Sequence, residues 1–349
     1  MYLTAFCICI MYEQGITYAF ITTNFTSREG ILQQHSYPAI EAYVSQARLK
    51  TYIALTNNAS LGECIGAYVW NKRVGAALFP LLQCLEVTLR NGVNNAASAH
   101  FGTPAWFDSL TKLAGHDYYH AFIAQYPHLV NDFYRKGVST GSRKNKKIWT
   151  SRHESMLYQA KDKLSKAGKP LHADAIVAEL MLGLWVGMFE KNYHDLNNAN
   201  RLWPHLEPVV FPNLIPSERR HGEVHKKLIP IKALRNRVAH HEPIWKHATV
   251  GNSVTAIKML TQIIDDIVFI INGISRERAE MLHESGIEGA ARAICRKESL
   301  DFYLAGRVSK EISLRRLKRN VLRHIDGKSL FPLSYNNAGK ETVILNLNM

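Results

Sequence analysis

The run Leu234-Arg235-Asn236-Arg237-Val238-Ala239-His240-His241-Glu242-Pro243-Ile244-Trp245 gathers the side chains that could break a phosphodiester bond. Read as a helix, it places Ile231, Leu234 and Val238 on one apolar side that can dock into a bundle. Asn236 and His240 are four residues apart and share a face, so the carboxamide could orient the imidazole or set its tautomer. Arg235 lies one residue earlier and its long side chain can swing towards the same end, with Arg237 as a supporting cation. His240 and His241 occupy the last turn, where the helix dipole favours positive charge. A histidine can take the proton of a ribose 2′-OH or give one to the leaving oxygen. An arginine fork can hold the phosphate and stabilise the charge building on its oxygens. The products would be a cyclic phosphate and a free 5′-OH, formed without a metal. One histidine is thin equipment for both acid and base, and a symmetric dimer with two such helices face to face would supply the second set.

Spacing alone does not single out this site. Arg followed five residues later by His recurs at Arg220/His225 and at Arg319/His324, where Asn320 even repeats the intervening amide. His240-His241-Glu242 lacks a complementary His, Asp or Cys pair with ligand spacing, so neither a metal nor another cofactor is expected. Glu86 and Arg90, four apart, read first as an ordinary helix ion pair. The alternative is that they support the site, Arg90 beside Arg235. Of Trp70, Trp106, Trp149, Trp185, Trp203 and Trp245, most read as core residues. Trp149 follows a basic loop and could stack on an unpaired base.

The elements that must position these groups are helical by periodicity. The pattern predicts a helix over 38–55 and a longer one over 62–99 with a kink or break at Pro80. Signals around Gly102 to Trp106 end it, and a shorter helix is expected from Asp117 to Tyr126. Residues 173–189 read as a central apolar helix. Residues 216–227 read as polar and basic, with the next helix starting at Pro230 in a first-turn position and ending before Pro243. Residues 253–272 form another apolar helix, and the chain from about 275 onward is charged and amphipathic, with Leu314, Leu317, Val321 and Ile325 as a stripe.

Charge narrows the partners. The chain has 43 Lys+Arg against 29 Asp+Glu, a formal net charge of +14 in 349 residues, which favours polyanions. From Arg135 to Lys169 there are eleven Lys/Arg against Glu154 and Asp162. Arg143, Lys144, Lys146 and Lys147, with Trp149 and Arg152, are therefore candidates for an RNA-binding arm whose affinity should fall steeply with salt. The alternative is a solvated loop. The 5 cysteines are scattered and odd in number, which suits a reduced, cytoplasmic protein rather than a disulfide framework. Tyr2 to Phe20 is apolar but lacks a basic leader and is interrupted by Glu13, Gln14 and Gly15, a poor signal peptide and a short membrane candidate. Stable membrane association is not expected.

Three blocks carry a resemblance. Leu234 to Trp245 resembles the signature of the Abi-like (abortive infection) family within the HEPN superfamily of helical ribonucleases. Tyr68-Val69-Trp70-Asn71 leading to Leu85-Glu86-Val87-Thr88-Leu89-Arg90-Asn91 is similar to that family's N-terminal helices, and Ala178 to Val186 to its central helix. The blocks fall in the family order between about residues 40 and 250. The resemblance implies an all-α HEPN-like bundle with peripheral helices, and a site in which Arg235 holds the phosphate, Asn236 follows it and His240 is catalytic. His241 also satisfies the permitted spacing, so the choice between the two histidines stays open. It implies a metal-independent endoribonuclease of the toxin or phage-defence type, working as a homodimer on cellular RNA or tRNA, with a regulatory RNA or antitoxin as a further partner. Some members only bind RNA, so a non-catalytic sensor or RNA-sequestering protein is the alternative. The expected organisation is an N-terminal arm over 1–35, the helical domain over 36–275 and a basic helical extension over 276–349.

Overall fold

The computed structural model describes residues 37–108, 152–190, 193–196, 201–246 and 250–305, with backbone alone for 152–155 and for six short strands. The fold class is all-α: twelve α-helices and a 3-10 turn, Ile53–Leu55, account for most described residues. Two compact units divide the chain. The first takes residues 1–83, 233–267 and 279–349, the second 84–232 and 268–278.

The first unit opens with α1 (Tyr37–Val44) and α2 (Gln46–Lys50). The single helix expected over 38–55 is broken because Ser45 takes a left-handed φ of 77°. Its hydroxyl accepts the Arg48 N–H at 3.3 Å and so caps a new helix. Leu49 packs with Cys64 and Ile65 of α3 (Leu61–Phe101), and Tyr37, Ile40 and Val44 cover that cluster. The unit also holds the end of α8 (His221–Ala239), most of α9 (Ser253–Ile274), α11 (Ile287–Ile294) and α12 (Lys297–Ala305). Most of α10 (Arg276–Glu284) belongs here too. The buried Trp70 donates its indole N–H to the Ile294 carbonyl at 2.9 Å. Arg292 bridges Glu288 (2.7 Å) and Asp265 (2.6 Å), tying α11 to α9. At Gly66 a Cβ would run into the Tyr303 carbonyl, so only glycine lets α3 and α12 approach this closely.

The second unit contains the C-terminal part of α3, α4 (Arg152–Lys166), α5 (Ala173–Glu179), α6 (Leu182–Gly187), α7 (Glu207–Val210) and the first part of α8. Its core is aromatic: Trp106, Phe107, Trp185, Phe189, Trp203 and Phe211 are all buried. Each indole N–H finds an acceptor, as a buried donor must. Trp106 reaches Asn94 Oδ1 (3.0 Å), Trp185 the Leu180 carbonyl (3.4 Å) and Trp203 the Met188 carbonyl (2.7 Å). The helix expected over 173–189 is two helices, because Leu180 and Met181 are extended between α5 and α6.

Both prolines expected to break or begin helices lie inside them. α3 runs 41 residues through Pro80, and α8 begins at His221, nine residues before Pro230. A helical proline leaves the carbonyl four residues earlier without its donor. Here those carbonyls belong to Ala76 and Lys226, both exposed, so water can replace the lost bond. Across Pro230 the apolar positions Val224, Leu228, Ile231 and Leu234 are all buried and hold the helix continuous.

The remaining regular structure is strand. β1 (Phe6–Ile10) and β2 (Tyr18–Phe25) join β5 (Leu333–Asn337) and β6 (Lys340–Ile344) in an antiparallel sheet of order β1-β2-β6-β5. These strands fall within the segments expected as a poorly defined N-terminal arm (1–35) and a basic helical extension (276–349). Helix continues to Ala305, but β-branched runs such as Ile21-Thr22-Thr23 and Thr342-Val343-Ile344 pair as strands. β3 (Arg135–Gly137) pairs with β4 (Lys147–Trp149). The helix expected from Asp117 to Tyr126 and the stripe from Leu314 to Ile325 lie outside the described residues.

Candidate functional site

The motif residues sit at the end of α8, in the first unit. Ile231 and Leu234 are fully buried and fasten the helix, which leaves Arg235 and Arg237 half-buried and Asn236, His240 and His241 exposed. Burying two such side chains contributes about 3–6 kcal/mol, so the exposed groups stand on a firm base.

The helix stops in a specific way. The His240 N–H still donates to the Asn236 carbonyl (2.9 Å), the last ordinary helical bond. Then the His241 N–H donates to the Val238 carbonyl (3.2 Å) and the Glu242 N–H to the Arg237 carbonyl (2.9 Å). These paired bonds form a Schellman stop, in which the residue after the C-cap turns left-handed and is usually glycine. Here it is His241, at φ 58°. A side chain in that conformation costs of order 1 kcal/mol, so the surroundings must hold it.

Two side chains from the N-terminal helices do so. Asn71 of α3, only 3% exposed, accepts the Ile244 N–H on Oδ1 (3.0 Å) and donates to the Glu242 carbonyl (3.4 Å). Arg48 of α2 donates from Nη1 to the His241 carbonyl at 3.2 Å. Beyond the turn, Ile244 and Trp245 are buried, and Trp245 meets the edge of Tyr52 at 6.2 Å between ring centres. The hydroxyl of Tyr52 and the indole N–H of Trp245 are buried without hydrogen-bond partners. Burial holds the Tyr52 phenol far above its ordinary range, so it stays neutral. Lys72 follows Asn71 on α3, with Nζ 5.2 Å from the centre of the Tyr68 ring. Its ammonium is held below the usual lysine range by burial and by the nearby Arg48 charge.

The end of α8 thus presents two exposed histidines on a turn pinned by an amide and a guanidinium, with the half-buried Arg235 in the last turns of the helix before it. Such an arrangement can place a cation and an imidazole against a phosphate. Sequence reasoning offered Arg235, Asn236, Arg237, His240 and His241 as candidates but gave no role to Arg48 or Lys72, and quoted Asn71 only as part of a block. A buried asparagine inside an apolar helical stretch was the available signal, because such an amide needs partners.

Glu86 and Arg90 belong to the second unit. Glu86 Oε1 accepts the Leu182 N–H at 2.9 Å and so caps α6, and Arg90 Nε donates to Asn91 Oδ1 at 3.3 Å. Arg143, Lys144 and Lys146 lie outside the described residues. Lys147 and Trp149 are described by backbone alone, paired with Gly137 and Arg135, and Arg152 is the first residue of α4. Of the tryptophans read as core, Trp70, Trp106, Trp185, Trp203 and Trp245 are buried. Among the described residues no group of three or more His, Cys, Asp or Glu is arranged to hold a metal ion, and no helix is long and apolar enough to cross a membrane.

A family model described as Abi-like protein matches residues 30–246, well over half the chain. The chain belongs to the Abi-like family. Membership gives it a role in abortive infection in the general sense. The Abi-like match runs from just before α1 to the buried turn after α8, and so takes in Arg48, Asn71, Arg235 and both histidines. No curated protein and no solved structure matches the chain.

Proposed function

We propose that this protein is a metal-independent endoribonuclease of the HEPN type, acting in the cytoplasm as a toxin-like effector of phage defence. The observation that carries the reading is the pinned, exposed end of α8, where His240 and His241 stand at a turn held by Asn71 and Arg48, with Arg235 in the helix just before it. Arg235 holds the non-bridging oxygens of the scissile phosphate. An imidazole removes the 2′-OH proton as that oxygen attacks phosphorus, and the P–O bond to the 5′ oxygen breaks. A protonated imidazole gives the leaving oxygen its proton, which yields a cyclic phosphate and a 5′-OH. His240 takes one of these roles, with His241 as the alternative occupant, and Asn236 orients the ring. The second imidazole comes from a partner subunit in a homodimer. The RNA is cellular RNA or tRNA, and the excess charge of +14 draws it in.

The test is cleavage of total RNA and tRNA by purified protein in EDTA, beside Arg235→Ala and His240→Ala. Loss of cutting in both variants, with cyclic-phosphate ends from wild type, is the expected result. RNA bound alike by all three proteins and cut by none replaces the enzyme with a non-catalytic RNA-binding protein.

A further inference from the structure

We propose that Arg48 and Lys72 form a second phosphate subsite beside the end of α8, which holds a backbone phosphate of single-stranded RNA next to the one assigned to Arg235. The inference rests on the RNA reading above and extends it to residues from two other helices.

Three observations converge on this pair. First, Arg48 is fixed at the motif turn, where it donates to the His241 carbonyl at 3.2 Å, and Lys72 is the next residue on α3 after Asn71, which binds Glu242 and Ile244. Second, each cation is oriented without being neutralised. Lys72 Nζ lies 5.2 Å from the Tyr68 ring centre, and among the described residues neither cation forms an ion pair. Third, the two charges are near enough that Arg48 disfavours the charged form of Lys72. Two cations held together with no carboxylate raise each other's energy, and an anion between them reverses the sign of that interaction. A guanidinium has five N–H donors in a fixed fork, so the one spent on His241 leaves others of the same plane for phosphate oxygens. An ammonium held over a ring supplies a point charge beside it. The chemistry selects a phosphate, and the position at a ribonuclease-type motif selects one in an RNA backbone. Arg48 would then do two things at once: it would fix the carbonyl of the strained His241 and hold the RNA that this turn acts on.

The experiment measures binding of a fluorescein-labelled oligouridylate across a potassium chloride series by anisotropy. The proteins are wild type, Arg48→Gln, Lys72→Gln, and the charge-keeping Arg48→Lys and Lys72→Arg, each checked for folding by thermal melting. Each Gln variant should bind more weakly, with the slope of log affinity against log salt reduced by about 0.7 for the lost cation. The charge-keeping variants should restore the slope, which a purely structural role would not do. Slopes unchanged in both Gln variants, or reduced but not restored by the charge-keeping ones, overturn the subsite and leave the ribonuclease reading standing. A wild type that does not bind the RNA overturns the reading and the subsite with it.

Discussion

His241 carries a side chain where a Schellman stop prefers none, and its neighbours hold it there. Strain of this kind persists where the surroundings over-determine it and is frequent at functional sites. His241→Gly should therefore stabilise the chain by about 1 kcal/mol, read as a higher melting temperature. Cleavage retained at the wild-type rate would remove His241 from the site and leave His240 alone there. Asn71→Ala acts in the opposite direction. It leaves the Ile244 N–H, on a residue 2% exposed, without its acceptor, a loss of about 1–3 kcal/mol. It also frees the turn that presents both histidines, so stability and cleavage should fall together in melting and RNA assays. A third residue makes stability depend on pH. His225 on α8 is held below its ordinary value of 6.5 by burial first, then by Lys232 and His221. The unfolded chain therefore takes up a proton near pH 6.5 that the folded chain resists, so stability is lost as pH falls below that value. Melting temperature should drop between neutral and mildly acid pH, and less steeply in His225→Gln.

At the scale of elements, α8 shows where local pattern informs and where it misleads. Pro230 suggests a helix start, yet the helix begins at His221 because Val224 and Leu228 extend the buried stripe beneath a polar, basic surface. Two apolar positions in an otherwise charged stretch carry little periodic signal, so only packing reveals them. α9 was legible almost to its ends, since its apolar positions recur along the whole of Ser253–Ile274. The same division holds for the site. Arg235, Asn236 and His240 could be offered as candidates from sequence because their relation is four or five residues along one chain segment. Asn71 and Arg48 meet that helix end from 171 and 193 residues away in the chain, which no local spacing encodes. The proline gives this element its own prediction. Pro230→Ala restores a donor for the Lys226 carbonyl and removes a helix-interior proline, which should stabilise the fold by about 1–3 kcal/mol with cleavage unchanged. A fall in melting temperature would instead mean that Pro230 itself helps to hold the buried stripe of α8 in place.

At the scale of the whole molecule, the proposed ribonuclease chemistry asks more of proton transfer than one histidine can give. A 2′-OH attack needs one group to accept a proton and another to donate one, and the end of α8 offers two adjacent exposed histidines, His240 and His241. If a two-fold dimer brings the ends of two α8 helices together, His240 of each subunit serves one role and the chemistry becomes a property of the pair. That arrangement predicts how inactive subunits behave. Wild type and His240→Ala protein are mixed in equal amounts, allowed to exchange subunits, and assayed for RNA cleavage. Random pairing leaves only half of the wild-type chains beside another wild-type chain, so activity per wild-type chain should fall to about half. Excess His240→Ala should suppress it further. A site complete within one chain gives activity per wild-type chain that does not change with the added variant, and His241 then becomes the partner of His240. Sedimentation at the assay concentration provides the check: the suppression should appear only where the protein sediments as a dimer.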